Sequence, residues 1–367
     1  MKKRVLFVLP TLHAGGAENY TLRFIRYFRE DYDFSVMSLQ KEKGDLHELF
    51  LNAGVRIHYN SLGYLDPIKW IRFFRFIKTG HFDVVCTMNG NFGGIPILIS
   101  RLAGVRQRVA FYRRSTTAFS LSRLRLLYNQ FVRNLVYRHA TDILSNSAFA
   151  FKTFFIGLPQ DQRFKVIPNG VEATQFDVAE SQGESRALYR LPEEYFIIGH
   201  VGRFDPAKNH EFICKVARRL IKNQALVMIV FCGKHTDSQK FIDLLHSFGL
   251  QGHYRTLGLQ ENVAQVLRTF DLFLFPSQTE GQPNALIEAM LAGLPILASN
   301  IEPIKEATPE SFHQRLIPIT DDALVADLIT RLIADRTLLQ DYKLQSFAKD
   351  YYNEHRNFSI FKTIINS

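Results

Sequence analysis

Eleven short runs of apolar, β-branched and aromatic residues fall into two series, and within each series the runs are separated by stretches long enough for a helix. The first series occupies residues 4–10, 34–39, 55–59, 82–88, 107–113 and 140–146, and the second 196–202, 226–232, 254–258, 271–276 and 295–299. This is a βαβ rhythm, which builds parallel sheet covered by helices. It is interrupted at Asn169-Gly170 and by a polar stretch holding Ser181, Gly183 and Ser185. The pattern therefore predicts an α/β chain of two doubly wound, Rossmann-like domains joined near residues 168–190. At 367 residues the chain is also too long for one compact core. Ligands of such sheets bind beyond the carboxyl ends of the strands, and two sheets facing one another would leave a cleft.

Cys86, Cys214 and Cys232 lie far apart inside apolar runs, the pattern of reduced core thiols, so a cytoplasmic compartment is expected. The amino-terminal MKKRVLFVLP stops its apolar run at Pro10 and reads as a first strand rather than a secretion signal. No segment reaches the ~18–20 uncharged apolar residues a bilayer span requires, which leaves peripheral membrane contact. Charge is unevenly spread. Residues 1–170 carry 25 Lys/Arg against 11 Asp/Glu, a net of +14, whereas residues 171–367 carry 20 against 24, a net of −4. The first half thus asks for an anionic partner: a phospholipid surface, a phosphorylated acceptor or nucleic acid.

The densest motif runs from Phe275 through Glu280, Gly281, Gln282, Pro283 and Asn284 to Glu288 and Met290, a strand ending in a Gly/Pro loop that opens a helix. A helix start at a strand's carboxyl edge offers backbone N–H groups and a positive dipole end to phosphate. Asn284 is placed to cap, and Glu280 and Glu288 can line one pocket. Either carboxylate alone could be structural, but Glu288 sits in Ala-Leu-Ile-Glu-Ala-Met-Leu, where an unpartnered charge is costly. A second motif, Gly199-His-Val-Gly202-Arg203-Phe-Asp-Pro-Ala-Lys208-Asn209-His210, can bring a fork-shaped guanidinium and an ammonium to bear on a diphosphate leaving group. A third, Pro10-Thr-Leu-His13-Ala-Gly15-Gly16-Ala-Glu18, follows the first strand with adjacent glycines that let backbone approach a ligand. Its spacing differs from the dinucleotide fingerprint.

The Glu280 to Glu288 segment resembles the E-x7-E pattern of retaining glycosyltransferases of family GT4, which have the GT-B fold. The resemblance covers most of the chain, densely at 1–18 and 165–300. It implies an acceptor-side domain at 1–168, a nucleotide-sugar domain at 172–345 and a helix at 350–367 that crosses back to the first. It further implies that Glu288 holds the donor ribose and Glu280 the transferred sugar. Arg203 and Lys208 would hold the diphosphate, with Glu280, Arg203 and Lys208 the catalytic set. Asn284, Ala285 and Leu286 would supply N–H groups, Gly281 would lie in the donor loop, and Gly15 and Gly16 would face the donor. The reaction implied is transfer of a hexose or N-acetylhexosamine from a UDP-sugar, less readily a GDP-sugar, to a lipid-linked saccharide of a surface polysaccharide, with no cofactor and no metal.

The chain departs from the family at Val109-Ala-Phe-Tyr-Arg113, where many members carry a histidine. Arg113 cannot act as a base, although it can hold a phosphate or an acceptor, and His13 is the other acceptor-side candidate. Asp31-Tyr-Asp33 has the D-x-D spacing of metal-dependent transferases but precedes a strand, at the wrong sheet edge. Cations interleave with aromatic and apolar residues at 69–78 and 123–138, so that the first domain is expected to dock peripherally on the inner face of an anionic membrane. A sugar-nucleotide epimerase of the same fold is the rival enzyme. A nucleic-acid-binding module is disfavoured because no groove-reading or base-stacking signature accompanies the basic half.

Overall fold

The computed structural model describes residues 2–63, 65–113, 122–339 and 342–367. The chain forms two units, one of Met1–Gly170 with Glu354–Ser367, the other of Val171–Asn353.

The first unit is built on a seven-stranded parallel sheet of order β3-β2-β1-β4-β5-β6-β7. Its strands are β1 (Lys3–Leu9), β2 (Tyr32–Ser38), β3 (Arg56–Tyr59), β4 (Val84–Thr87), β5 (Gln107–Tyr112), β6 (Asp142–Ser145) and β7 (Phe164–Val166). β1 lies centrally, with Phe7 opposite Val36 on one side and Cys86 on the other. Its continuous run Val5–Leu9 is buried on both faces, the reason a parallel strand reads as unbroken apolar sequence rather than as alternation. β7 is the one strand the apolar rhythm does not announce. Phe-Lys-Val is short, half-buried and at the sheet's edge, so Lys165 is tolerated and pairs with Asp142 at 2.8 Å.

The helix Glu354–Asn366 belongs to this unit although it comes last in the chain. Phe358, Phe361, Ile364 and Ile365 enter the core formed by Phe7, Tyr20, Phe24 and Phe111. Phe361 lies 4.7 Å from Phe24 and 5.5 Å from Phe111 between ring centroids. At ~2 kcal/mol for each large apolar side chain buried, this helix is a structural part of the first unit. Asp31 and Asp33 serve the same unit at the amino end of β2. Asp31 pairs with Lys362 at 3.1 Å, and Asp33 with Arg4 and Arg56, so the D-x-D spacing is spent on ion pairs.

The second unit has a five-stranded parallel sheet of order β10-β9-β8-β11-β12, made of β8 (Phe196–Val201), β9 (Val227–Cys232), β10 (Tyr254–Thr256), β11 (Leu272–Phe275) and β12 (Ile296–Ala298). The helix His210–Lys222 covers it with one apolar face, Ile213, Val216, Ala217 and Leu220. Beneath the sheet's amino edge Arg186 and Asp271 form a buried pair at 2.6 Å, and Asp271 also accepts from Ile197 N–H at 2.7 Å. All three cysteines are buried and free. Among the described residues no helix is long and apolar enough to cross a membrane.

Candidate functional site

At the carboxyl edge of the second sheet, the loops leaving β8 and β11 are tied together. Gly202, just past β8, donates its N–H to Cys232 O at 2.8 Å, and a Cβ there would lie 2.9 Å from His200 Nε2. The chain then turns over Pro206–Lys208, capped by Asp205, which accepts from Ala207 N–H at 2.9 Å. Asn209 takes the left-handed conformation that begins the next helix (φ 56°). This turn carries Lys208 to the end of β11. Its Nζ lies 5.0 Å from the centre of the Phe275 ring and donates to Glu280 Oε1 at 2.6 Å. Gln278 N–H reinforces the junction by donating to Ala207 O at 2.8 Å. Lys208 and Glu280 are only 19% and 10% exposed, so their charge-assisted bond lies largely out of water.

Arg203 and Lys208, expected to converge, part company. The exposed Arg203 guanidinium turns back to Asp205 at 3.0 Å while Lys208 takes the carboxylate. Pro283 sits at the N-cap of the helix Asn284–Leu291 and offers no side-chain cap, and Asn284 is the first helical residue rather than the N-cap. Of the backbone donors expected here, Leu286 N–H is consumed by Pro283 O at 3.0 Å. Ala285 N–H has no acceptor among the described residues, as the first turn of a helix allows. Gly281 lies half-buried in the loop between Glu280 and that helix start. Glu288 stands one turn inside the helix and is half-buried rather than buried. It lies near the end of β9, where burial pushes the Cys232 thiol up to about 12, with the Glu288 charge adding to the rise.

Two histidines that the sequence reading left unused lie beneath this loop. His200 and His210 are buried with ring centres 4.9 Å apart, and His200 Nδ1 lies 2.9 Å from Leu274 O. Burial holds both neutral. It lowers the His210 pKa to about 4, and the neighbouring Lys208 charge adds to the fall. Their positions flanking Gly202–Asn209, inside an apolar strand and at a helix start, were the available signal.

In the first unit the Pro10–Gly15 loop follows β1. Leu12 is its buried anchor, and His13 is exposed with Nδ1 3.3 Å from Asp45 Oδ2. Gly15 caps the helix Gly16–Tyr27 with extended backbone, so handedness does not call for glycine there. Close approach does, because a Cβ would fall 2.4 Å from Oε2 of the buried Glu18. Arg113, one residue past β5, lays its guanidinium 3.9 Å from the Tyr20 ring centre and 5.1 Å from that of Phe111, and donates to Asn169 Oδ1. Burial lowers its pKa to about 10, with Tyr20 and Glu18 opposing the fall. It therefore remains a cation at neutral pH.

Two doubly wound parallel sheets, with glycine-rich, charged loops at their carboxyl ends, define the GT-B fold. Glycosyltransferase Family 4 matches residues 14–175 and Glycosyl transferases group 1 matches residues 181–349, so the chain belongs to the glycosyltransferases of these two family descriptions. Its activity is hexosyl transfer. Similar proteins include the capsular polysaccharide biosynthesis glycosyltransferase CapH of Staphylococcus aureus, 28% identical over 89% of this chain and 91% of that one. The UDP-Gal:α-D-GlcNAc-diphosphoundecaprenol α-1,3-galactosyltransferase of Escherichia coli is 25% identical over 83% and 81%. Among solved structures, Anabaena Alr3699/HepE in complex with UDP matches with a TM-score of 0.84, at 18% identity over 100% of both chains.

Proposed function

We propose that this glycosyltransferase moves a hexose or N-acetylhexosamine from a UDP-sugar to a lipid-linked saccharide during synthesis of a capsule or other surface polysaccharide, with retention at the anomeric carbon. The observation that carries the donor reading is the Lys208–Glu280 pair at 2.6 Å, beside a helix start whose Ala285 N–H is open. Lys208 and Arg203 would stabilise the departing diphosphate, Glu280 would hold the sugar, and Glu288 the ribose. UDP as the nucleotide is supported by the complex of the similar Anabaena protein, and the acceptor class by the diphosphoundecaprenol named for the E. coli relative.

In the step proposed, the bond from the anomeric carbon to the diphosphate oxygen breaks as the acceptor hydroxyl bonds to that carbon on the same face. The hydroxyl proton passes to the departing phosphate, so no side-chain base is needed and none is assigned. Gly15 and Gly16 are proposed to face the donor, and His13 and Arg113 to serve the acceptor side. A lipid-linked acceptor stays in the bilayer, so the basic first unit would work at the inner membrane face while the donor arrives from solution.

A thermal-shift screen of nucleotide sugars tests the donor, because a ligand that binds only the folded state raises the melting temperature. The expected outcome is stabilisation by UDP and a UDP-sugar. Stabilisation by GDP-sugars alone would overturn the choice of nucleotide, and release of free sugar without an acceptor would favour the epimerase.

A further inference from the structure

In the first unit every strand runs parallel, so the segments leaving β3, β4 and β5 all emerge at one edge of the sheet. After β3 comes the helix Pro67–Gly80, after β4 a short turn and the helix Gly94–Leu102, and after β5 the helix Arg123–His139. Gly94–Leu102 packs against both of the others, so the three lie side by side on one face with their amino-terminal ends at the carboxyl edge.

That rim is unusually apolar. Eight of the 18 large hydrophobic side chains exposed among the described residues lie in the first three turns of these helices or just before them. Leu65 is 75% exposed, Ile68 65%, Leu124 79% and Leu127 63%. Leu124, Leu127 and Phe131 follow at helical spacing along one stripe, and Phe92 from the β4 crossover joins it through Tyr128, whose ring centre is 6.4 Å away. The helix Arg123–His139 engages the core further along, through Val132 and Val136. Arg123–Leu127, at its start, are all exposed, and contact with the rest of the unit begins at Tyr128 and Asn129. The flanking cations Arg72, Arg75, Lys78, Arg123 and Arg125 form no ion pair among the described residues. Exposed leucines beside unpaired arginines are the inverse of a solvated helix face, and contiguous apolar surface of this kind marks an interaction site.

We propose that this carboxyl-edge rim enters a lipid bilayer, with the Leu124–Leu127–Phe131 stripe and Ile68 below the headgroups and the unpaired cations at the phosphate level. The proposal deepens the lipid-linked acceptor reading, on which it rests. Unpaired positive charge beside apolar surface complements an anionic headgroup layer over hydrocarbon, whereas a second copy of this chain would set like charges against each other. Apolar insertion also turns the strand ends that carry His13 and Arg113 toward the membrane, a fixed orientation that attraction by diffuse charge does not impose.

The test is flotation with phosphatidylcholine vesicles containing phosphatidylglycerol, at low and high salt. Bringing Leu124→Ser, Leu127→Ser and Phe131→Ser together is expected to weaken partitioning about tenfold or more at both salt levels. Arg72→Gln, Arg75→Gln, Arg123→Gln and Arg125→Gln together weaken it chiefly at low salt, where charge is least screened. In a Trp70→Phe background, which removes the only native tryptophan, Leu127→Trp provides a reporter whose emission moves to the blue and is quenched by lipids brominated on their acyl chains. Flotation of the triple serine variant equal to the parent's, or a Leu127→Trp reporter untouched by brominated lipid, would overturn the proposal. So would a lipid-free parent that is dimeric while the serine variant is monomeric. UDP titration of the parent and serine variant separates the two readings. Failure of the parent to bind UDP counts against the donor assignment, whereas retained binding with lost flotation supports the rim.

Discussion

Replacing Glu280 by Gln releases Lys208 from the carboxylate that holds it at 2.6 Å. A hydrogen bond to a charged group is worth about 1.5–3 kcal/mol, and with both partners mostly buried the pair is placed at ~2 kcal/mol. In a domain of this size ~1 kcal/mol moves the melting point by about 2–4 °C, so Lys208→Met, which strands the carboxylate, is expected to lower it by about 4–8 °C. A cycle of Lys208→Met, Glu280→Gln and the double variant should give a coupling of ~1–2 kcal/mol. The same bond competes with any diphosphate for Lys208. Calorimetric titration with UDP should therefore find Glu280→Gln binding as tightly as the parent or up to about tenfold tighter, since ~1.4 kcal/mol is tenfold. Its rate of sugar transfer should fall. Additive single variants, or a Glu280→Gln protein that binds UDP more weakly than the parent, would refute the view that pairing holds Lys208 back for the donor.

Glu288→Ala is expected to abolish UDP binding in titration without lowering the melting temperature, and unchanged affinity would remove it from the ribose. Transfer should persist in EDTA, because Lys208 and Arg203 supply the positive charge a divalent ion would bring; complete loss, restored by manganese or magnesium, contradicts that. His210, with a folded pKa of about 4 against an ordinary 6.5, refuses a proton that the unfolded chain accepts. Stability is therefore full above about pH 6.5 and lost as pH falls toward 4, and His210→Gln should flatten that limb of a denaturation series. Gly15→Ala should lower the melting point through the clash with Glu18, an effect Glu18→Ala should relieve in the double variant.

All eleven apolar runs became strands, nine of them because a parallel strand buried on both faces cannot hide its composition, while the partly exposed edge strands β3 and β10 were marked by β-branched and aromatic residues. β7 stayed hidden for the opposite reason: three edge residues with a lysine at the centre carry no apolar signature. Motif spacing brought out Glu280, Glu288, Arg203 and Lys208 as residue types suited to a sugar diphosphate. The partnership of Lys208 with Glu280, 72 residues apart, depends on how the Pro206–Lys208 turn aims its last side chain, which no local pattern records. The same limit applies to Leu286, whose backbone donor is spent on Pro283, and to Arg113, which the chain packs against Tyr20. Charge counting located the basic half. It did not distinguish cations engaged with carboxylates, such as Lys69 with Asp66, from those left open on the rim.

The second unit enters the chain after Gly170 and leaves it before Glu354, and its two ends are already joined to each other. Val171 N–H donates to Tyr352 O at 2.8 Å, and Val171 bridges Asn353 in parallel. On the other side of the cut, Asn357 donates its side-chain amide to Asn169 O at 3.2 Å, and Gly170 packs against Glu354. Topologically the second unit is a cassette spliced into its host at one place, with both splice sites at the same point and Asn169, Val171 and Tyr352 buried there. Exchanging residues 171–353 for the corresponding segment of a relative breaks two peptide bonds that lie side by side and leaves the host's terminal helix seated in its own core. On the proposed reading, nucleotide-sugar preference is then expected to move as one block while acceptor choice stays with the host.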